Sequence, residues 1–590
     1  MQNIEKLQNW LVEKGLAGMV IYSSDEYLNE YTPPSARRLC WATAFSGSVG
    51  QAVILQDKAA LFIDGRYTTQ AHQQADAEKI EVRSLGQNAV PAWLKTQVAA
   101  GQKIAVDPRL HTGAEVDALS GALEACGASL ETLDDNPVDQ LWHDRPAPER
   151  EPVEIYGLQF SGMSSEEKRR QLGEALKDKG LSAYMVSAPE ELAWLLNVRG
   201  KDLPATPVCQ SYALMEAGGD VYWFLDESRI SEAQRQQLDS GITLVDPENV
   251  TAFLKQHFAS SKLEGAVGIN QARTPSHLHH LLEDIAGASH CNALEVNKAC
   301  KNTVELDGAR NAQHIDGIAM IKFLAWLENA VDQFELTELD VAQKVTEFRS
   351  ASSAFEDISF TPISASGPNA ALAHYSVTEE SNRVINESNM FLLDSGGQYK
   401  GGTTDITRTL SLGTASDFQK RCFTLVLKGH IALATARFPK GTTGSQVDVL
   451  ARQYLWQEGL DYGHGTGHGV GSYLSVHEGP ASISMRPIPE PLRAGMIMSN
   501  EPGYYLEGEF GIRIENLVIV KEADAEGFLE FETITEVPLD PGLIEPSLLS
   551  DTDIAWLKAY HQRVKNRFTE ELDADERRWL SQKVEFFMGL

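Results

Sequence analysis

Four carboxylates and a group of histidines lie between His374 and Glu515, each beside a short apolar run or a glycine-rich turn. Asp394 follows Met390-Phe391-Leu392-Leu393, the glycines Gly396, Gly397, Gly401 and Gly402 come next, and Asp405 opens Ile406-Thr407-Arg408-Thr409-Leu410. This reads as a hairpin with a carboxylate on each arm. His468 stands in a glycine-alternating stretch, Glu501 precedes the turn signal Pro502-Gly503, and Glu515 is expected on the returning strand of a second hairpin. Four acids converging on a dry pocket repel, because burying an unpaired charge is costly or forces protonation. Two divalent cations would cancel that charge. Hard carboxylate donors with one imidazole and no thiolate favour Mn(II), Co(II) or Fe(II) over a structural zinc site.

Gly463, Gly465, Gly467, Gly469 and Gly471 alternate, so in an extended chain His464, Thr466, His468 and Val470 share the opposite face. A helical zinc motif also spaces histidines by four. Glycines in a helix interior would cost roughly 1 kcal/mol each, however, and no glutamate follows the first histidine. On a strand the two imidazoles stand about 13 Å apart, at roughly 3.3 Å per residue. One therefore ligates and the other serves the substrate pocket. His374 and His477 surround the same carboxylates. Arg513 reads as an ion-pair partner holding a ligand carboxylate, with a solvent-facing strand residue as the alternative.

The elements that carry these residues occupy the last part of a chain too long for one core. At 590 residues, three domains are expected, which we divide at 1–148, 155–300 and 301–590. Ile4, Leu7 and Leu11 give a helical pattern that stops at Gly15 before the strand Gly18-Met19-Val20-Ile21-Tyr22, and Gln51–Leu55 with Ala59–Ile63 reads as a hairpin. A proline-rich charged linker covers 143–153. Beyond it Leu176–Leu181 echoes Leu11–Leu16, and Tyr222–Asp226 echoes Ala60–Asp64 at nearly the same spacing, which implies two α/β domains of one fold in tandem. A long helical pattern from about 301, a helix near 417–437 and a helical tail with Leu557, Tyr560, Val564 and Phe568 complete the α/β reading.

The net charge of -32 opposes binding to nucleic acid or anionic membranes and reads otherwise as a solvated surface. The six cysteines are dispersed, no Cys-x-x-Cys occurs, and the amino terminus lacks the layout of a secretory signal. With no apolar run of roughly 20 residues, a soluble cytoplasmic protein is expected.

The motifs Leu-Leu-Asp-Ser-Gly-Gly-Gln-Tyr at 392–399, Thr-Thr-Asp-Ile-Thr-Arg-Thr at 403–409, Gly-His-Gly-Thr-Gly-His-Gly-Val-Gly at 463–471, Ser-Asn-Glu-Pro-Gly-Tyr-Tyr at 499–505 and Gly-Ile-Arg-Ile-Glu-Asn at 511–516 resemble the Xaa-Pro aminopeptidase (aminopeptidase P) family of the pita-bread fold, in its long three-domain cytosolic form. The likeness spans the chain, including Asp64-Gly65-Arg66-Tyr67 and Trp194-Leu195-Leu196-Asn197-Val198-Arg199-Gly200 in the paired amino-terminal regions. It implies two creatinase-like α/β domains, a pita-bread catalytic domain with a helical extension, and a two-metal hydrolase, commonly manganese-dependent, with Co2+, Fe2+ or Zn2+ as alternatives. Its substrates would be peptides with proline second, from which the first residue is removed.

By that resemblance Asp394 binds one metal, Asp405 and Glu515 bridge both, and His468 and Glu501 bind the other. A hydroxide bridging the metals is the implied nucleophile. Glu501 also shuttles a proton to the leaving proline nitrogen, His374 and His477 hydrogen-bond the scissile region, and His464 with Arg513 lines the proline pocket. A homodimer is implied. The competing readings are a prolidase acting on dipeptides, a metal-free creatinase, which the intact ligand set disfavours, and a pita-bread binding module that has lost catalysis.

Overall fold

Ile4, Leu7 and Leu11 are buried along one face of the helix Gln2–Lys14. Gly15 stops it at φ +67°, Leu16 N–H reaches back to Leu11 O, and the chain turns into the strand Gly18–Tyr22. The device recurs after the helix Ser165–Asp178, where Gly180, also at φ +67°, leads into the strand Leu181–Val186. The computed structural model describes residues 2–86, 88–261, 263–385 and 390–590, in two compact units: Met1–Leu158 with Met163–Leu294, and Gln159–Gly162 with Glu295–Leu590.

The first unit holds two six-stranded sheets of one topology. In the first sheet Gly18–Tyr22 pairs antiparallel with Gly50–Leu55 and parallel with Lys103–Val106. Ala59–Ile63 turns back on Gly50–Leu55, and Ile80–Ser84 and Ser129–Thr132 form the edges. In the second sheet Leu181–Val186 takes the same place, with Tyr212–Glu216, Val221–Phe224 and Ile242–Val245 on one side and Ala266–Ile269 and Ala288–His290 on the other. Equivalent strands keep the same neighbours and the same senses. The echo in the sequence is a duplicated fold.

The second unit opens with the helix Thr303–Ala330, capped reciprocally by Asn302 and Glu305. The strand Met390–Ser395 lies between Ile363–Ser366 and Ile406–Ser411, antiparallel to both. Phe391 and Leu393 enter a cluster with Phe323, Leu324 and the tail residues Tyr560, Val564 and Phe568. The two-residue period therefore turns Leu392 and Asp394 to the opposite face. A six-stranded sheet runs Arg437–Pro439, Phe528–Thr533, Asn516–Glu522, Ile497–Asn500, Gly467–Gly469, Glu478–Ile483. The tail forms the helices Asp551–Phe568, capped by Ser550, and Ala574–Gly589.

One expected strand is shorter than its glycine alternation implies: of 463–471, only Gly467–Gly469 is extended. A Cβ at Gly467 would run into Ser499 O and one at Gly469 into Glu478 O, while Gly463 faces open space. The middle glycines admit neighbouring backbone, and His464 lies in the bend before them. Among the described residues no helix is long and apolar enough to cross a membrane, and the six cysteines are free thiols.

His561 links the tail to the domain and to pH. Its Nδ1–H donates to Leu557 O at 2.8 Å, its Nε2 accepts from Leu539 N–H at 3.2 Å, and its ring stacks on Phe587. Burial, aided by Arg408 and Arg563 against the Leu557 bond, pushes its imidazolium down to about 3. A histidine held neutral in this way contributes stability above the ordinary pKa of about 6.5, lost as pH falls from there towards 3. At about 1.4 kcal/mol per pH unit, the fall from 6.5 to 5 removes about 2 kcal/mol. The urea midpoints of wild type and His561→Gln are therefore expected to converge between pH 7.5 and 5; a gap that stays constant would contradict this.

Candidate metal centre

The carboxylates sit at strand ends and breaks that the ladder brings together. Asn500 pairs with Asn516, so Glu501, just past one strand, and Glu515, just before the other, emerge at the same end. Glu515, expected inside the returning strand, instead lies in the gap between Phe510–Arg513 and Asn516–Glu522. There its N–H donates to Thr407 O at 3.2 Å, and Thr407 pairs in register with Asp394. Asp405 immediately precedes the strand that carries Thr407.

At this junction one ligand-type atom each from Asp405, His468 and Glu515 lies within 4.8 Å of the others. His468 Nδ1–H donates to Gly469 O at 2.9 Å, which turns Nε2 towards Glu501 Oε1 (3.3 Å) and Asp405 Oδ2 (3.5 Å). Asp394 Oδ2 accepts from Arg513 Nη2 at 2.6 Å, Glu515 Oε2 from the Thr407 hydroxyl at 2.7 Å, and Glu501 Oε1 from the Ser499 hydroxyl at 3.1 Å. Arg513 thus reaches Asp394 and is itself buried.

Burial comes first in the electrostatics, and crowded charge second. Burial first, then the neighbouring Asp405, Asp394 and Glu501, carries the Glu515 carboxyl well above the usual range. Burial also raises Asp405, to about 6, against the pull of His468. Burial works against the His468 imidazolium, but Asp405 and Glu501 carry it up to about 9. Asp394 Oδ1, Asp405 Oδ1 and Glu515 Oε1 are buried with no hydrogen-bond partner among the described residues. Three orphaned carboxylate oxygens beside an imidazole oriented by a backbone carbonyl fit hard divalent cations.

The other residues that the sequence singles out lie beside this cluster. The His477 ring packs edge-on against His468, with centroids 4.4 Å apart. His464 Nδ1–H donates to Gly465 O, and its Nε2 accepts from the Tyr505 hydroxyl at 2.8 Å. Arg513 Nη1 donates to that hydroxyl at 2.6 Å and to Ala373 O at 3.2 Å, which brings the turn holding His374 against the guanidinium. Tyr505 therefore completes a chain His464–Tyr505–Arg513–Asp394. Sequence reasoning missed it: in the hairpin Gly503–Leu506 with Phe510–Arg513 it pairs with Gly511, its ring packs on the hydrophobic cluster that holds Tyr504, and only its hydroxyl reaches His464 and Arg513.

Residues 307–522 match the model of metallopeptidase family M24, residues 527–587 its C-terminal region, and residues 3–138 and 144–305 each match a creatinase/prolidase N-terminal domain. The chain is 38% identical over 613 residues to a probable Xaa-Pro aminopeptidase P of Coccidioides posadasii (strain C735), covering 99% of this chain and 93% of the relative. A relative of the same name from Aspergillus niger is also 38% identical, over 607 residues, with 99% and 98% covered. The crystal structure of X-prolyl aminopeptidase from Caenorhabditis elegans, described as a cytosolic enzyme with a di-nuclear active site, superposes with a TM-score of 0.93 at 33% identity over 99% of both chains. The fold is thus two creatinase-like domains followed by a pita-bread domain with a helical tail. The chain belongs to metallopeptidase family M24, among its full-length Xaa-Pro aminopeptidase P relatives.

Proposed function

We propose that this protein hydrolyses the peptide bond between an amino-terminal residue and a following proline, with two divalent cations, manganese first among them. The observation that carries the reading is the set of orphaned carboxylate oxygens on Asp394, Asp405 and Glu515 around His468. Asp394 would hold one cation, Asp405 and Glu515 both, and His468 with Glu501 the other. Two such cations, when bound, supply an activated water at neutral pH and polarise the scissile carbonyl.

The protein's own side chains do the rest. Arg513 fixes one oxygen of Asp394 and, with His464, lines the pocket for the proline ring. His374 and His477 hydrogen-bond the scissile region, and Glu501 moves a proton to the proline nitrogen as the bond breaks. Full-length similarity to Xaa-Pro aminopeptidase P relatives favours an aminopeptidase over a prolidase. We also assign a cytoplasmic location, in keeping with six free thiols and a cytosolic structural neighbour, and, from the family likeness alone, a homodimer.

The test is hydrolysis of Arg-Pro-Pro and of Arg-Ala-Ala by metal-stripped protein titrated with Mn(II), Co(II) and Zn(II). Arginine release from Arg-Pro-Pro alone, restored by manganese, is the expected result. Cleavage of both peptides would remove the proline requirement, and cleavage of neither would leave a prolidase acting on dipeptides or a binding module.

A further inference from the structure

Glu338, the first residue of the helix Glu338–Ser350, is fully buried, yet every hydrogen-bond donor to its side chain among the described residues is a neutral group. Oε1 accepts from Ser366 N–H (2.6 Å), and Oε2 from the Tyr375 hydroxyl (2.8 Å) and Arg383 N–H (3.2 Å). Asn369 Nδ2 donates to both oxygens, at 3.1 and 2.9 Å. Its backbone joins in: Glu338 N–H donates to Arg383 O at 2.9 Å, and Glu338 O accepts from the Ser364 hydroxyl at 2.7 Å. One residue thus grips both ends and the middle of the segment 364–383. A buried carboxylate without a cation is a poor source of stability, whereas its charge-assisted hydrogen bonds fix geometry strongly.

The gripped segment contains His374. Tyr375, the next residue, packs against Ala365, Ala370 and Leu392, and Leu392 shares its strand face with Asp394. Ala373, the residue before, offers its carbonyl to Arg513, which holds Asp394. His374 is therefore suspended between two anchors, one on the carboxylate cluster and one on Glu338. We infer that Glu338, acting through the Tyr375 hydroxyl, is a positioning residue for His374 and sets where its imidazole stands relative to the scissile peptide. This rests on the role proposed above for His374.

The test is a double-mutant cycle on the full-length manganese enzyme with Arg-Pro-Pro as substrate. Tyr375→Phe removes one hydroxyl and is expected to lower kcat about tenfold to a hundredfold, the cost of a misplaced catalytic group. KM and bound manganese should stay near wild type, and the thermal midpoint should fall only modestly, since the ring still fills its place while a buried acceptor loses one donor. Glu338→Gln should share the kcat loss; if it fails to fold, Tyr375→Phe carries the test. Joined to His374→Ala, Tyr375→Phe should add no further loss, because its effect runs through that imidazole. Wild-type kcat in Tyr375→Phe, or penalties that multiply in the double variant, would overturn the inference alone. A fully active His374→Ala would overturn the role of His374 and the inference with it.

Discussion

Replacing Glu515 with glutamine is expected to lower kcat/KM on Arg-Pro-Pro by about a thousandfold or more, equivalent to about 4 kcal/mol of lost transition-state stabilisation. Its Oε1 has no partner among the described residues and its Oε2 already takes the Thr407 hydroxyl, so the amide keeps the shape but replaces an anionic ligand atom by a neutral one. Bound manganese, counted by atomic absorption, should fall below two per chain. Stability should move in opposite directions according to the metal. Metal-free, the variant should melt above wild type, because burial and the charges of Asp405, Asp394 and Glu501 all oppose ionisation of this carboxyl. With manganese saturating, the order should reverse, because wild type gains more binding free energy. A variant with two tightly held manganese ions and wild-type melting in both states would exclude Glu515 as a ligand.

The pieces of this site differ in how far the sequence alone reveals them. Asp394 and Asp405 are legible because each adjoins a strongly apolar strand, and the glycines between them announce a turn. The duplicated sheets are legible because Lys14-Gly15-Leu16 recurs as Lys179-Gly180-Leu181, and the structure puts both glycines in the same left-handed conformation. The alternation over 463–471 implies a longer strand than Gly467–Gly469, because alternating glycine looks the same whether a neighbour's carbonyl needs the room, as at Gly467, or nothing does, as at Gly463. The break that frees Glu515 depends on bonds to Thr407, more than a hundred residues earlier in the chain. Tyr505 and Glu338 escape for the same reason. Their partners, His464 and Tyr375, are close only once separate strands and loops have been brought into register.

Arg408 is the residue where fold and site are hardest to separate, and its replacement by methionine is expected to cost about 3–5 kcal/mol of stability. The Arg408 guanidinium donates to Thr407 O (2.8 Å), Glu515 O (2.7 Å), Asn516 Oδ1 (2.9 Å), Val537 O (2.8 Å), Pro538 O (3.2 Å) and the Tyr560 hydroxyl (3.1 Å). All are buried, and burial lowers the guanidinium pKa, so the charge is tolerated only because its donors are used. Methionine would fill the space yet leave those acceptors dry. Two of them belong to Glu515 and its neighbour Asn516, and three to the carboxy-terminal segment and the tail helix Asp551–Phe568. If the tail serves the centre through Arg408, Arg408→Met should both unfold at lower urea and release manganese at lower chelator concentration. Tyr560→Phe, which removes one partner, should show a smaller form of both effects. A purely structural tail predicts something else: an earlier urea midpoint, with the chelator titration of the folded protein superimposed on wild type.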